Sequence, residues 1–257
     1  MKSFFTIIAL VAAIAICATS CYPPQYTSSP QYVAPVQQEP EVSMDVFYNE
    51  LSPYGRWVDN PSYGRVWISN EREFAPYRSG GHWVYTDYGW TWASDYAWGW
   101  APFHYGRWID DPYYGWAWVP GYEWAPAWVS WRRNNDYYGW APLSPGINVS
   151  VGFGAEIPAN RWNFVPNRYI NNPNMRNYYV NNNQNVTIIN NTTIINNTNV
   201  YKNARYTTGP DRGEAERYSG TRINPIRVNN SVKPTNTIDN NGFNIYSNYA
   251  TLIYIIN

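Results

Sequence analysis

Cysteine, histidine and charge are all scarce in this chain, and each scarcity closes off a class of chemistry. Of 257 residues, two are cysteines and two are histidines, His82 and His104. Both cysteines, Cys17 and Cys21, lie at the N-terminus. The body of the chain therefore has no thiol for nucleophilic catalysis and too few Cys or His for a zinc site built on several of them. Charged residues make up only 14% and the formal net charge is zero. That withholds the basic field on which nucleic-acid or anionic-membrane binding draws, so neutral partners are expected and nucleic acid is not. Long helical periodicity is missing too. The one helix expected is a turn or two near 210–218, where Pro210 and Asp211 lead in and Arg217 comes late.

Long apolar runs are confined to the N-terminus. Lys2, the run from Phe4 to Cys17, and the small residues Ala18-Thr19-Ser20 form the pattern of an export signal over residues 1–20. The run is too short to stay behind as a membrane-spanning helix. Cys21 follows directly, as in bacterial lipoprotein signals, where that cysteine is acylated and becomes the new N-terminus. The competing outcome, plain secretion, would leave an unpaired thiol in an exported protein. Tyr22 rather than Asp after the cysteine matches lipoproteins sent on to the outer membrane. The expectation is an outer-membrane lipoprotein of a bacterial cell envelope, its acyl chain lying in the bilayer without a transmembrane helix and its orientation left open. Residues 21–44, rich in Pro, Gln, Tyr and Ser, read as a disordered tether.

What is plentiful is aromatic side chains. The chain has 15 Trp and 25 Tyr, and fourteen of the tryptophans fall between Trp57 and Trp140. They recur in four copies of one phrase: GRWVDNPSYGRVW, GHWVYTDYGWTW, GRWIDDPYYGWAW and SWRRNNDYYGWAP. Each copy has turn chemistry at its centre and alternation on either side, the pattern of a β-hairpin. Pairing across the second turn sets Tyr85 opposite Trp90 and Trp83 opposite Trp92, with all four rings on one face and Val84 and Thr91 on the other. A loop longer by one residue sets Trp57 opposite Trp67 and Asp59 opposite Arg65 in the first copy, and Trp108 opposite Trp118 in the third. The fourth copy places Trp131 opposite Pro142 and reads as a terminal unit, because Pro belongs at strand ends or edges. The first copy also departs from the others, with Arg65 where later copies have Trp90 and Trp116. The phrases Phe74-Ala-Pro-Tyr, Trp100-Ala-Pro-Phe and Trp124-Ala-Pro-Ala link successive copies at intervals of about 25 residues, shorter than a propeller blade. The expected fold is all-β: an antiparallel meander of aromatic hairpins over residues 45–146, forming a compact sheet or incomplete barrel, with disordered flanks.

After the repeat, INVSVGFG suggests a strand pair. Within the Asn-rich stretch 147–203, Thr187-Ile188-Ile189 and Thr193-Ile194-Ile195 suggest short strands, with a sticky disordered segment as the alternative. Residues 204–257 read as a mostly irregular tail, ending in the uncharged, aggregation-prone IYSNYATLIYIIN.

The phrases SPYGRW, GHWVYTDYGWTW, WGWAPFHYGRW, GWAWVPG and WAPAWVSWR, between about Phe47 and Pro145, resemble an uncharacterised family of exported, Trp-rich bacterial proteins classed as a domain of unknown function. WNFVPNRYI, NVTIINNTTIINN and TGPDRGEAERYSG are similar to sequences that accompany it in some Bacteroidetes-type members. The resemblance implies export, often with a lipoprotein signal, and supplies no catalytic residues.

The aromatics have two uses to weigh. A domain poor in aliphatic residues needs Trp and Tyr for its core, yet this many rings exceed what one small core hides, so some should face solvent. Trp83, Tyr85, Trp90, Trp92, Trp108, Trp116, Trp118 and Trp124 are the candidate binding aromatics, able to stack on the apolar faces of sugars. Carboxylates such as Asp95, Asp110, Asp111 and Glu123 fit turn roles better than a glycosidase pair, so the expectation is no enzyme, no cofactor and no metal. Two functions stay open: a lipid-anchored binding module for peptidoglycan or neutral polysaccharide, or a structural envelope protein that packs against a protein partner or itself.

Overall fold

The computed structural model describes residues 42–147, 157–231, 235, 238–239 and 242–246. The export signal, Cys21, the tether as far as residue 41, INVSVGFG beyond Ile147 and the tail from residue 247 lie outside the described residues.

The first element is a helix that the sequence reading did not anticipate, α1 (Met44–Leu51). The Ser43 hydroxyl accepts from the Val46 amide, Asp45 sits in the first turn, and Phe47 and Leu51, one turn apart, are fully buried. Ser52-Pro53-Tyr54 then tightens into a 3-10 turn that delivers Gly55 to the first strand.

The four repeats are four hairpins: β1 (Gly55–Asn60) with β2 (Gly64–Ser69), β3 (Gly81–Thr86) with β4 (Gly89–Ser94), β5 (Arg107–Asp111) with β6 (Gly115–Val119), and β7 (Val129–Arg133) with β8 (Tyr137–Pro142). Their registers place Trp57 opposite Trp67, Trp83 opposite Trp92, Tyr85 opposite Trp90 and Trp108 opposite Trp118. The fourth hairpin corrects the expected pairing: Trp131 faces Trp140, and Pro142 closes the strand opposite Val129. The cause is the turn. The Asn134 side-chain oxygen accepts from the amides of Asp136 (2.9 Å) and Tyr137 (2.8 Å), which shifts the partner of Trp131 two residues toward the loop. Every copy thus keeps a Trp–Trp pair at its centre.

The hairpins do not pair in sequence order. The first and third join through Trp67 and Trp118 into a four-stranded sheet of order β1-β2-β6-β5, while β3-β4 stands as a two-stranded sheet of its own. The fourth is completed by β9 (Asn163–Pro166) on one side and β10 (Thr193–Ile194) on the other, in the order β10-β7-β8-β9. Strands pair antiparallel within these sheets, and among the described residues none of the sheets closes into a barrel.

Of the two β-prone triplets, Thr193-Ile194 forms the expected strand, but Thr187-Ile188-Ile189 lies in a helix, α2 (Asn185–Asn190). Tertiary contacts override the β propensity here. The Asn185 amide donates to the carbonyls of Ala159 and Trp162, both at 2.8 Å, and Ile188 inserts beside Trp162, Phe164 and Ala141. Further along come the hairpin β11 (Thr198–Tyr201) and β12 (Ala204–Thr207), the helix α3 (Arg212–Ser219), and a small sheet of β13 (Val228–Ser231), β14 (Ile238–Asp239) and β15 (Gly242–Tyr246), in which β13 and β15 are parallel. Asp211 caps α3 by accepting from the Glu214 amide at 2.8 Å.

Thirteen of the 15 tryptophans are buried, and Trp57 and Trp116 are half-buried. The rings pack directly on one another: Trp83 lies 4.5 Å from Trp131, 5.2 Å from Trp92 and 5.4 Å from Trp140, centroid to centroid. Such contacts contribute about 0.5–1.5 kcal/mol each beyond simple burial. A separate aliphatic cluster of Val66, Ile68, Ile109 and Ala117 covers the opposite side of the first and third hairpins.

Candidate functional site

Of the eight candidate binding aromatics, Trp83, Trp90, Trp92, Trp108, Trp118 and Trp124 are buried in the core, so their rings offer no face to a ligand. Two are also tied to backbone: the Trp90 indole donates to the Pro210 carbonyl at 3.0 Å, and that of Trp118 to the Tyr105 carbonyl at 2.7 Å. Tyr85 is half-buried with its ring edge-on to Trp90. Trp116 is half-buried, opposite Asp110 in the register and beneath the Arg161 guanidinium at 5.7 Å. The expectation of exposed aromatics therefore holds in kind but not in residue type. The large apolar rings left in solvent are tyrosines, among them Tyr54, Tyr63, Tyr113, Tyr114 and Tyr122.

Three of these sit on two hairpin tips built alike. In Asn60-Pro61-Ser62-Tyr63-Gly64, the Asn60 side-chain oxygen accepts from the amides of Ser62 and Tyr63. In Asp111-Pro112-Tyr113-Tyr114-Gly115, Asp111 Oδ1 accepts from the amides of Tyr113 and Tyr114. Each turn ends on a glycine at φ 70°, left-handed backbone that a side chain at that position would strain. The two tips meet, with Asn60 Nδ2 donating to Asp111 Oδ2 at 3.0 Å. Holding the turns this way pushes the tyrosines outward, and Tyr113 is 92% exposed.

Between the tips lies a cavity of about 320 Å³ lined by Ser62, Tyr63, Asp110, Asp111, Pro112 and Arg161, among others. Asp111 is committed to the turn and to Asn60. Asp110 is exposed and lies 3.7 Å from Arg161 Nε, and Arg161 Nη1 donates to the Ser144 hydroxyl at 3.4 Å. Close by, Arg56 lies over the Tyr114 ring at 5.7 Å. The cavity therefore offers a carboxylate acceptor, guanidinium and hydroxyl donors and the exposed Tyr63 ring, with Tyr113 and Tyr114 exposed on the adjoining tip, a mix that can stack on and hydrogen-bond to a polyhydroxylated ligand. The signal for these tyrosines was present in the repeated Asx-Pro-x-Tyr-Gly phrase.

His104 is fully buried, with Nδ1 3.0 Å from the Ala125 carbonyl and its ring stacked on Trp124. Desolvation pulls its pKa down to about 4, against partial compensation from backbone hydrogen bonds, so it is a neutral packing residue at physiological pH. His82 is pulled down in the same direction by burial, with Asp95 opposing.

Residues 48–147 match a family described as of unknown function, DUF6600. The matched stretch spans the four aromatic hairpins and stops short of β9. No curated protein and no solved structure matches the chain. Among the described residues no helix is long and apolar enough to cross a membrane.

Proposed function

We propose that this chain is a non-catalytic binding module of the bacterial envelope, tethered to the outer membrane through an acyl chain on Cys21, that recognises neutral envelope glycan or extracellular polymer. The observation that carries this reading is the division of the aromatics: the tryptophans serve the core, while Tyr63, lining a polar cavity, and Tyr113 and Tyr114, on the hairpin tip that meets its own, stand in solvent. Exposed rings grouped beside hydrogen-bonding side chains mark a contact surface. The test is retention of the purified full-length chain on peptidoglycan and on neutral polysaccharides, repeated with Tyr113→Ala and Tyr114→Ala. Glycan binding that these variants weaken with no change in melting temperature supports the proposal. Unaltered retention in both variants refutes the tyrosine site.

A tyrosine-rich rim suits a protein contact equally well, since Tyr is enriched where proteins meet. If no glycan is retained, and the chain self-associates or captures an envelope protein in a way that the same variants abolish, it is a structural envelope component. The anchor has its own check: a radioactive fatty acid should label the wild type and not Cys21→Ala, and equal labelling would rule out acylation there.

A further inference from the structure

Away from the hairpin tips, a second cavity of about 330 Å³ is lined by Arg107, Glu123, Trp128, Asn203 and Arg205, with Gly146 and Ile147 at its edge. Its wall is unusual in how Arg107 is held. The guanidinium lies face-on over the Trp128 ring, 3.2 Å from the ring centroid, and Trp128 is fixed in turn by donating its indole N–H to the His104 carbonyl at 3.0 Å. A guanidinium carries five N–H donors. Among the described residues Arg107 uses one hydrogen bond, from Nη1 to the Gly106 carbonyl at 2.8 Å, and has no carboxylate within ion-pair distance.

Packing alone would explain the stack on Trp128, since arginine often lays its flat face on an aromatic ring. It leaves the rest of a half-buried planar fork, beyond the single bond to Gly106, facing an open cavity. Burial draws the Arg107 pKa down to about 10, with Tyr77 and Glu123 opposing. Arg205 adds a second, exposed guanidinium to the same cavity, and among the described residues Glu123 is the one carboxylate lining it. Two guanidinium groups against one carboxylate leave an excess of positive charge suited to a monoanion, while Glu123 penalises a dianion.

We infer that this cavity is a binding site for a carboxylate group, held by the fork of Arg107 on its Trp128 platform and flanked by Arg205 and Asn203. A planar carboxylate matches the guanidinium two oxygens to two N–H groups, a geometry that a neutral sugar cannot supply. The site shares no lining residue with the hairpin-tip cavity and does not depend on the function proposed for it.

The experiment is calorimetric titration of the purified full-length chain with sodium D-glucuronate, with D-glucose and inorganic phosphate as controls. Glucuronate should bind where glucose does not, and Arg107→Gln should weaken it by about tenfold or more, the loss of one charge-assisted pair. Arg205→Gln, an exposed change that leaves the fold alone, should weaken it several-fold and so keeps the test valid if Arg107→Gln does not fold. Tyr113→Ala should leave it unchanged, which separates this site from the tyrosine surface. Glucuronate binding no better than glucose, phosphate binding tighter than glucuronate, or affinity unaltered by the arginine variants would overturn the assignment.

Discussion

Tryptophan and tyrosine are both abundant here, yet the chain uses them for opposite ends. Indoles fill the interior of the hairpins, and phenols crown two of the tips. The difference follows from chemistry. Indole buries more apolar area and asks for at most one acceptor, whereas a phenol left without a partner in the core carries a desolvation cost. Two of the tyrosines that go inside bring partners, while the buried hydroxyls of Tyr179 and Tyr206 have none among the described residues. Tyr77 donates to the Phe103 carbonyl at 2.9 Å and accepts from the Trp128 amide at 3.1 Å, and Tyr138 donates to Glu214 at 2.8 Å.

This comparison breaks most visibly if a core indole is removed. Trp83→Ala or Trp131→Ala deletes a fully buried ring from the densest cluster and should cost about 3–5 kcal/mol in chemical denaturation. A near-neutral effect would mean that the rings are not packed. Next in size is the buried histidine beneath the Trp124 stack. Its folded pKa lies below the unfolded value, so the stability it contributes is complete above about pH 6.5 and lost as pH falls toward about 4. The loss should approach about 3 kcal/mol. His104→Phe should flatten the acid limb of the stability curve over that window, and an unchanged limb would show that His104 is solvated.

The comparison sharpens within the indoles themselves. Trp118 donates to the Tyr105 carbonyl, while Trp131 has no acceptor for its N–H among the described residues. Beyond the loss of ring area that both changes share, Trp118→Phe should cost about 1–2 kcal/mol more than Trp131→Phe, because only the first strands a buried carbonyl. Equal costs would show that the indole hydrogen bonds are unimportant. Smallest of all, Tyr113→Ala should move stability by less than about 0.5 kcal/mol, as expected for a side chain in solvent. Its effect belongs in binding.

The hairpins were legible because their information is local. An alternating aromatic pattern around a turn fixes which residues face each other, and the Trp57–Trp67, Trp83–Trp92 and Trp108–Trp118 pairs follow from loop length alone. The fourth register was missed because a side-chain turn at Asn134, rather than the count of loop residues, sets it. How hairpins associate was not legible. One antiparallel pairing between Trp67 and Trp118 joins copies one and three, and nothing in the spacing of the phrases selects that partner over the neighbouring copy. Thr187-Ile188-Ile189 was read by propensity and became helical through contacts with Trp162 and Phe164, distant in sequence. The candidate site was half legible: the abundance of rings implied an exposed surplus, but assigning it to tyrosine required knowing which rings meet in the core.

Quenching of tryptophan fluorescence by acrylamide tests that division most directly. Thirteen buried indoles and two half-buried ones should give a native chain that is weakly quenched and becomes strongly quenched only on unfolding in denaturant. Native quenching equal to that of the unfolded chain would place the indoles in solvent and contradict the account.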